Sequence, residues 1–149
     1  LNSLSEKRAY WSLLLLNVAD SKQELTDSLE MITESIQKTL GDEDLNWIFD
    51  NNQKECQSEL SISSLHKGKI QNHVIDRTFI DEDNVRWIID YKSSRPKGDE
   101  SEFIRDQTNK HEEQLRRYKR LFEAMEDRTI KMAFVLTAIP KLVEIKSRQ

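Results

Sequence analysis

Three glycines and two prolines are all the punctuation this chain of 149 residues carries. These two residues end elements and make tight turns, so their scarcity favours long regular elements over a loop-rich β-sandwich. The length suits one domain with a sizeable core, spanning 1–149, and leaves little for a second. Residues 4–19 read as a helix carrying Leu4, Ala9, Trp11, Leu13 to Leu16 and Val18. Asp20-Ser21 then breaks the chain and caps the next element. From Glu24 to Leu40 the apolar positions Leu25, Leu29, Ile32, Ile36 and Leu40 recur at helical spacing, and Gly41 takes the C′ position. A short helix over Glu43 to Asn51 completes a helical layer, residues 1–52.

The pattern then shifts to strands. Glu59–Ile62 alternates, Lys67-Gly68-Lys69 is a turn, and Ile70–Ile80 and Val85–Lys92 flank a polar hairpin loop, Asp81–Asn84. Ser93–Asp99, with Pro96 and Gly98, crosses to a long helix over 100–126. Ile130–Ile139 is a strongly apolar strand closed by Pro140, and Leu142–Ile145 a short last one. Helices, three strands, a helix and a strand make an α/β fold, with a mixed central sheet over residues 58–145, flanked by helices.

Charge and cysteine content narrow the function. The net charge of −4 tells against a domain whose main task is unaided, non-specific nucleic-acid binding. It leaves room for a metal-dependent enzyme, because metal sites are themselves acidic. Cys56 is the lone cysteine, which excludes an internal disulfide or an all-cysteine metal site and fits a reducing, cytoplasmic setting. No run approaches the ~18–20 apolar residues of a membrane helix. The chain begins with Leu1, which reads as a piece of a larger protein.

The chemistry gathers at Trp87-Ile88-Ile89-Asp90-Tyr91-Lys92. Side chains alternate along a strand, so Asp90 and Lys92 emerge from one side of it. A second acid, Asp76, stands in the apolar run Val74–Arg77. Two carboxylates suit Mg²⁺, which takes only one or two from protein and fills its shell with water and phosphate. A lysine beside them can orient a water or meet charge developing on a phosphate. On spacing alone D-x-K is common, and an Asp90–Lys92 salt bridge, with Asp76 paired to Arg77 or solvated, is the more frequent arrangement. On the long helix Gln107, His111, Gln114 and Tyr118 share a face with Phe103 and Met125, where an apolar stripe against the sheet is the expectation. Polar groups there need partners, which a pocket beneath the helix supplies.

Val74-Ile75-Asp76-Arg77, Ile88-Ile89-Asp90-Tyr91-Lys92-Ser93 and Gln114-Leu115-x-x-Tyr118 together resemble the nuclease domain of the RecB family, within the PD-(D/E)xK superfamily. The resemblance covers about residues 59–137 and implies a restriction-endonuclease-like core. It implies a metal held by Asp76, Asp90 and the Tyr91 carbonyl, Mg²⁺ or Mn²⁺, and Lys92 as the catalytic lysine. Gln114 and Tyr118 match the family's Q-x-x-x-Y, and Glu59 sits where many members carry an acid on the preceding strand. The chain departs from the pattern where a histidine belongs on the first helix, since Trp11 stands there; His73 occupies the place of a glycine. His111, on the site-facing side of the long helix, is the better substitute ligand.

The resulting expectation is metal-dependent hydrolysis of DNA, as exonuclease or endonuclease on single strands, within a helicase–nuclease of the RecB or AddA type. Helicase domains of the same polypeptide feed the strand, and a partner subunit completes a complex for recombination and double-strand break repair. The alternative is a nuclease-like domain weakened in catalysis that guides DNA or docks a subunit. A third reading is a structural α/β domain in which D-x-K is coincidence.

Overall fold

A computed structural model of the chain describes residues 4–16 and 18–146, with side chains from Lys7 onward. Residue 17 and the Leu4 side chain, both within the expected first helix, lie outside the described residues. A five-stranded sheet runs in the order β1 (Lys54–His66), β2 (Lys69–Ile80), β3 (Arg86–Lys92), β4 (Ile130–Leu136) and β5 (Lys141–Glu144). β3 and β4 are parallel and the other neighbours antiparallel, so the sheet is mixed and the fold α/β. Parallel neighbours need a crossover, and α3 (Glu100–Glu123) makes it. Ahead of the sheet come α1 (Leu4–Leu15), α2 (Lys22–Leu40) and a 3₁₀ turn, Asn46–Phe49.

The caps follow local chemistry. Ser21 Oγ accepts from Glu24 N at 3.1 Å and Asp99 Oδ1 from Glu102 N at 2.9 Å, satisfying orphan donors at the starts of α2 and α3. Gly41 closes α2 at φ −87°, in ordinary right-handed backbone rather than the left-handed C′ geometry. Close approach explains the glycine, because a Cβ there would meet Gln37 O at 2.9 Å.

Other boundaries moved for physical reasons. The strand expected over Glu59–Ile62 extends through all of Lys54–His66. It is an edge strand whose inward residues, Leu60 and Ile62, are only half-buried, so its alternation is faint in the sequence. The helix expected over 43–51 contracts to the 3₁₀ turn. α3 ends at Glu123, which leaves Met125 beyond the helix and 60% exposed rather than on its inner stripe.

Each face of the sheet has its own core. Ile75, Ile88, Met132, Phe134 and Leu136 meet Leu115, Tyr118 and Phe122 of α3 on one side. On the other, Phe79, Trp87, Ile89 and Val135 pack with Leu45 and Ile48 around the 3₁₀ turn. Strand β4 is buried on both faces and so reads as an unbroken apolar run.

Arg86 interrupts the apolar start of β3 and is 5% exposed. Its Nε donates to Glu126 Oε1 at 2.8 Å, its Nη2 reaches Glu55 Oε2 at 2.5 Å, and its guanidinium lies 5.1 Å from the Phe122 ring centre. The Arg86 hydrogen bond holds the Glu126 carboxyl below its ordinary pKa of 4.5. A lowered folded pKa gives stability that is full above the unfolded value and is lost as pH falls through the folded one. Glu126→Gln should therefore cost about 1–2 kcal/mol at neutral pH. In urea titrations its deficit against the unaltered chain should shrink in acid, and a deficit independent of pH would contradict the pairing.

Candidate active site

Strand alternation sorts β3 cleanly. Arg86, Ile88 and Asp90 turn toward α3, whereas Trp87, Ile89 and Tyr91 turn toward the 3₁₀ turn. Asp90 is 3% exposed, and Lys92 Nζ stands 2.5 Å from its Oδ2. That oxygen is buried, and the ammonium is its compensating contact among the described residues. Gln114 Nε2 reaches Asp90 Oδ1 at 3.5 Å and donates to the Tyr118 hydroxyl at 2.9 Å. Tyr118 in turn donates to Val74 O at 3.0 Å. The polar stripe on α3 thus ties β3 to β2 across the helix-covered face.

Asp76 enters by a different route. β2 pairs with β3 only as far as Arg77↔Ile89, and at the next position the Asp76 Oδ2 accepts from Tyr91 N at 2.8 Å. A side chain replaces the backbone acceptor where the two strands part. On the other edge, Ser58↔Arg77 and Leu60↔Ile75 bracket Glu59 and Asp76, and Glu59 adopts φ 54°. The strand turns over here: Ile75 packs under α3, whereas Arg77 bonds the 3₁₀ segment on the opposite face. Asp76 therefore sits at a kink that brings its carboxylate to the end of β3.

The electrostatics agree with this closeness. Burial pushes the Asp90 carboxyl above its ordinary pKa; the hydrogen bond and charge of Lys92 oppose the rise, and the Asp76 charge adds to it. Burial likewise pushes the Tyr91 phenol up to about 12, and its ring stacks on Phe49 with centres 6.0 Å apart. His111 is half-buried one turn from Gln114; burial and then the Lys92 and Lys110 charges lower its pKa, so the neutral ring is favoured.

The sequence-derived residues divide accordingly. Asp76, Asp90, Lys92, Gln114 and Tyr118 form one connected group, with His111 beside Lys92. Glu59 occupies the strand position opposite Asp76 but is exposed. Gln107 shares the inner face of α3, with a buried Oε1 that has no hydrogen-bond partner among the described residues. His73 is spent on Ser64 Oγ at 3.0 Å and on the edge of the Tyr118 ring. The salt bridge between Asp90 and Lys92 is present, whereas the Asp76–Arg77 pairing is not, since Asp76 is taken by Tyr91 N.

The anchoring roles of two arginines escaped the sequence reading. Arg77, 5% exposed, donates from Nε to Ile48 O at 2.6 Å and from Nη2 to Asp50 O at 3.0 Å and Asn51 Oδ1 at 3.2 Å. It pins the 3₁₀ turn against β2, one residue from Asp76. Arg86 plays a similar part at the start of β3. A charged residue inside an apolar strand run was the available signal, since such a group needs partners when buried.

The described residues include no group of three or more His, Cys, Asp or Glu side chains arranged to hold a metal. Two carboxylates, one of them with a buried oxygen in contact with the Lys92 ammonium, are donors for a hard cation that keeps much of its water, and do not suit a structural zinc site. Among the described residues no helix is long and apolar enough to cross a membrane. Compared with known proteins, the chain matches no family model and no curated sequence.

Proposed function

We propose that the chain hydrolyses phosphodiester bonds in single-stranded DNA, using Mg²⁺ or Mn²⁺ held by Asp76, Asp90 and the Tyr91 carbonyl. The reading includes a restriction-endonuclease-like core of the PD-(D/E)xK kind within the α/β fold. The observation that carries it is the convergence of Asp76 and Asp90 at the point where β2 and β3 part, with Lys92 2.5 Å from Asp90 and Gln114 above. A bound divalent cation would lower the pKa of a water and neutralise charge on the phosphate. The chain's residues do the rest. Lys92 offers a fixed ammonium on the same face as Asp90, able to orient the attacking water or meet the developing phosphate charge. Gln114 holds Asp90 from above, Tyr118 holds Gln114, and Tyr91 N–H holds Asp76, so the acids are oriented before substrate arrives. The same proposal takes in a cytoplasmic helicase–nuclease for DNA repair and recombination, whose helicase domains deliver the strand.

A second reading, a nuclease-like module that guides DNA without cutting it, is favoured by Trp11 where the family carries a histidine and by the ammonium already seated on Asp90. One assay separates the two. The purified chain should cut an end-labelled single-stranded oligonucleotide with Mg²⁺ or Mn²⁺, and EDTA should stop it. Binding without cleavage in either metal would favour the guiding module.

A further inference from the structure

The acids of this chain are unevenly spread. It contains 27 Asp and Glu, yet none lies between Leu60 and Ile75, the facing halves of the β1–β2 hairpin. That stretch carries His66, Lys67 and Lys69 at its tip, all exposed. Lys67 at φ 49° and Gly68 at φ 75° build a two-residue turn whose positive φ values match the twist of a hairpin. Glycine adopts that geometry freely and lysine does not. Among the described residues neither Lys67 nor Lys69 enters an ion pair. Between the hairpin and α3 lies a groove of about 410 Å³, lined by Ser64, His66, Gln71, Arg117 and Arg120 together with Leu65 and Leu121. Arg120 spends its charge on Glu113 at 2.9 Å, while the exposed Arg117 faces the groove.

We propose that this groove binds the phosphate backbone of single-stranded nucleic acid and leads it to the carboxylates. Arg117 in the groove and Lys67 and Lys69 at the adjoining hairpin tip supply the attraction to phosphates, and hydroxyl and amide side chains such as Ser64 and Gln71 are the donors that position a backbone without reading its sequence. The direction follows from the strands: Gln71 is five residues along β2 from Asp76, about 17 Å at ~3.3 Å per residue. A chain of net charge −4 can thus hold a polyanion, because the facing halves of this hairpin carry Lys67 and Lys69 and no acid. The inference rests on the nuclease reading only for where the strand goes, and its binding step is independent of cleavage.

The test is fluorescence anisotropy of a labelled single-stranded oligodeoxynucleotide with the full chain in EDTA, across a series of salt concentrations. The combined variant Lys67→Ala, Lys69→Ala, Arg117→Ala should bind at least about tenfold more weakly at low salt, with a log–log salt slope shallower by about 2, on the order of 0.7 per lost phosphate contact. Thermal melting should confirm that it remains folded. Equal affinity and slope for variant and unaltered chain would overturn the proposal. Competition by an acidic peptide as strong as by an oligonucleotide of equal charge would overturn it too, pointing to a protein partner. If the variant loses binding while the unaltered chain never cuts, the groove stands and the nuclease reading falls; if the chain cuts and the variant binds normally, the reverse holds.

Discussion

Asp90→Asn should lower metal-dependent cleavage of single-stranded DNA by about 10²–10³-fold or more. Asparagine keeps the shape of the side chain and an oxygen for Gln114, which now lies 3.5 Å from Asp90 Oδ1. It removes the negative charge that a cation and Lys92 both need. The fold should survive, because ionised Asp90 is itself disfavoured by burial and by Asp76. Lys92, 17% exposed at its side chain, can turn its ammonium to water along a flexible stem. A thermal midpoint within about 5 °C of the unaltered chain is expected, which separates lost chemistry from lost structure. Initial rates with Mg²⁺ and with Mn²⁺ give the comparison, and an unchanged rate in both would sink the assignment of Asp90.

Arg77→Ala should have the largest effect on stability of any change near the site, about 2–4 kcal/mol. The loss has a definite source. Ile48 O and Asp50 O would lose their guanidinium donors, and Asn51 Oδ1 would lose both Nη contacts. A buried acceptor left unpaired costs more than the hydrogen bond contributed, since it has given up water without replacement. The midpoint should fall by about 5–12 °C for a chain of this size. The 3₁₀ turn carries Phe49, which stacks on Tyr91, whose N–H holds Asp76. Cleavage by the folded fraction should therefore fall as well. Calorimetric melting checks the first part; a midpoint shift under about 2 °C would show that Arg77 does not anchor the turn.

The face shared by Asp90 and Lys92 was legible because a two-residue period needs only a strand. Gln114 and Tyr118 were legible for the same kind of reason, a helical period on a strongly patterned helix. The role of Asp76 was legible only in part. Periodicity places a carboxylate on a strand, but it cannot show a strand kinking so that the side chain takes over a ladder acceptor from Tyr91 N. That same kink sent Arg77 to the 3₁₀ turn instead of to Asp76. The extent of β1 was hidden because an edge strand with one half-buried face writes a weak pattern. Gly41 was identified as a helix stop, but whether it stops by left-handed backbone or by close approach to Gln37 O depends on contacts that no local pattern carries.

The proposed nuclease requires that Asp76 and Asp90 share one hard cation at the point where β2 and β3 separate. Isothermal titration of the chain with Mg²⁺ and with Mn²⁺, in the absence of DNA and then with a short single strand, measures it directly. One ion per chain is expected, tighter with DNA present, with that binding lost in both Asp76→Ala and Asp90→Ala. Unaltered ion binding in both variants would contradict it.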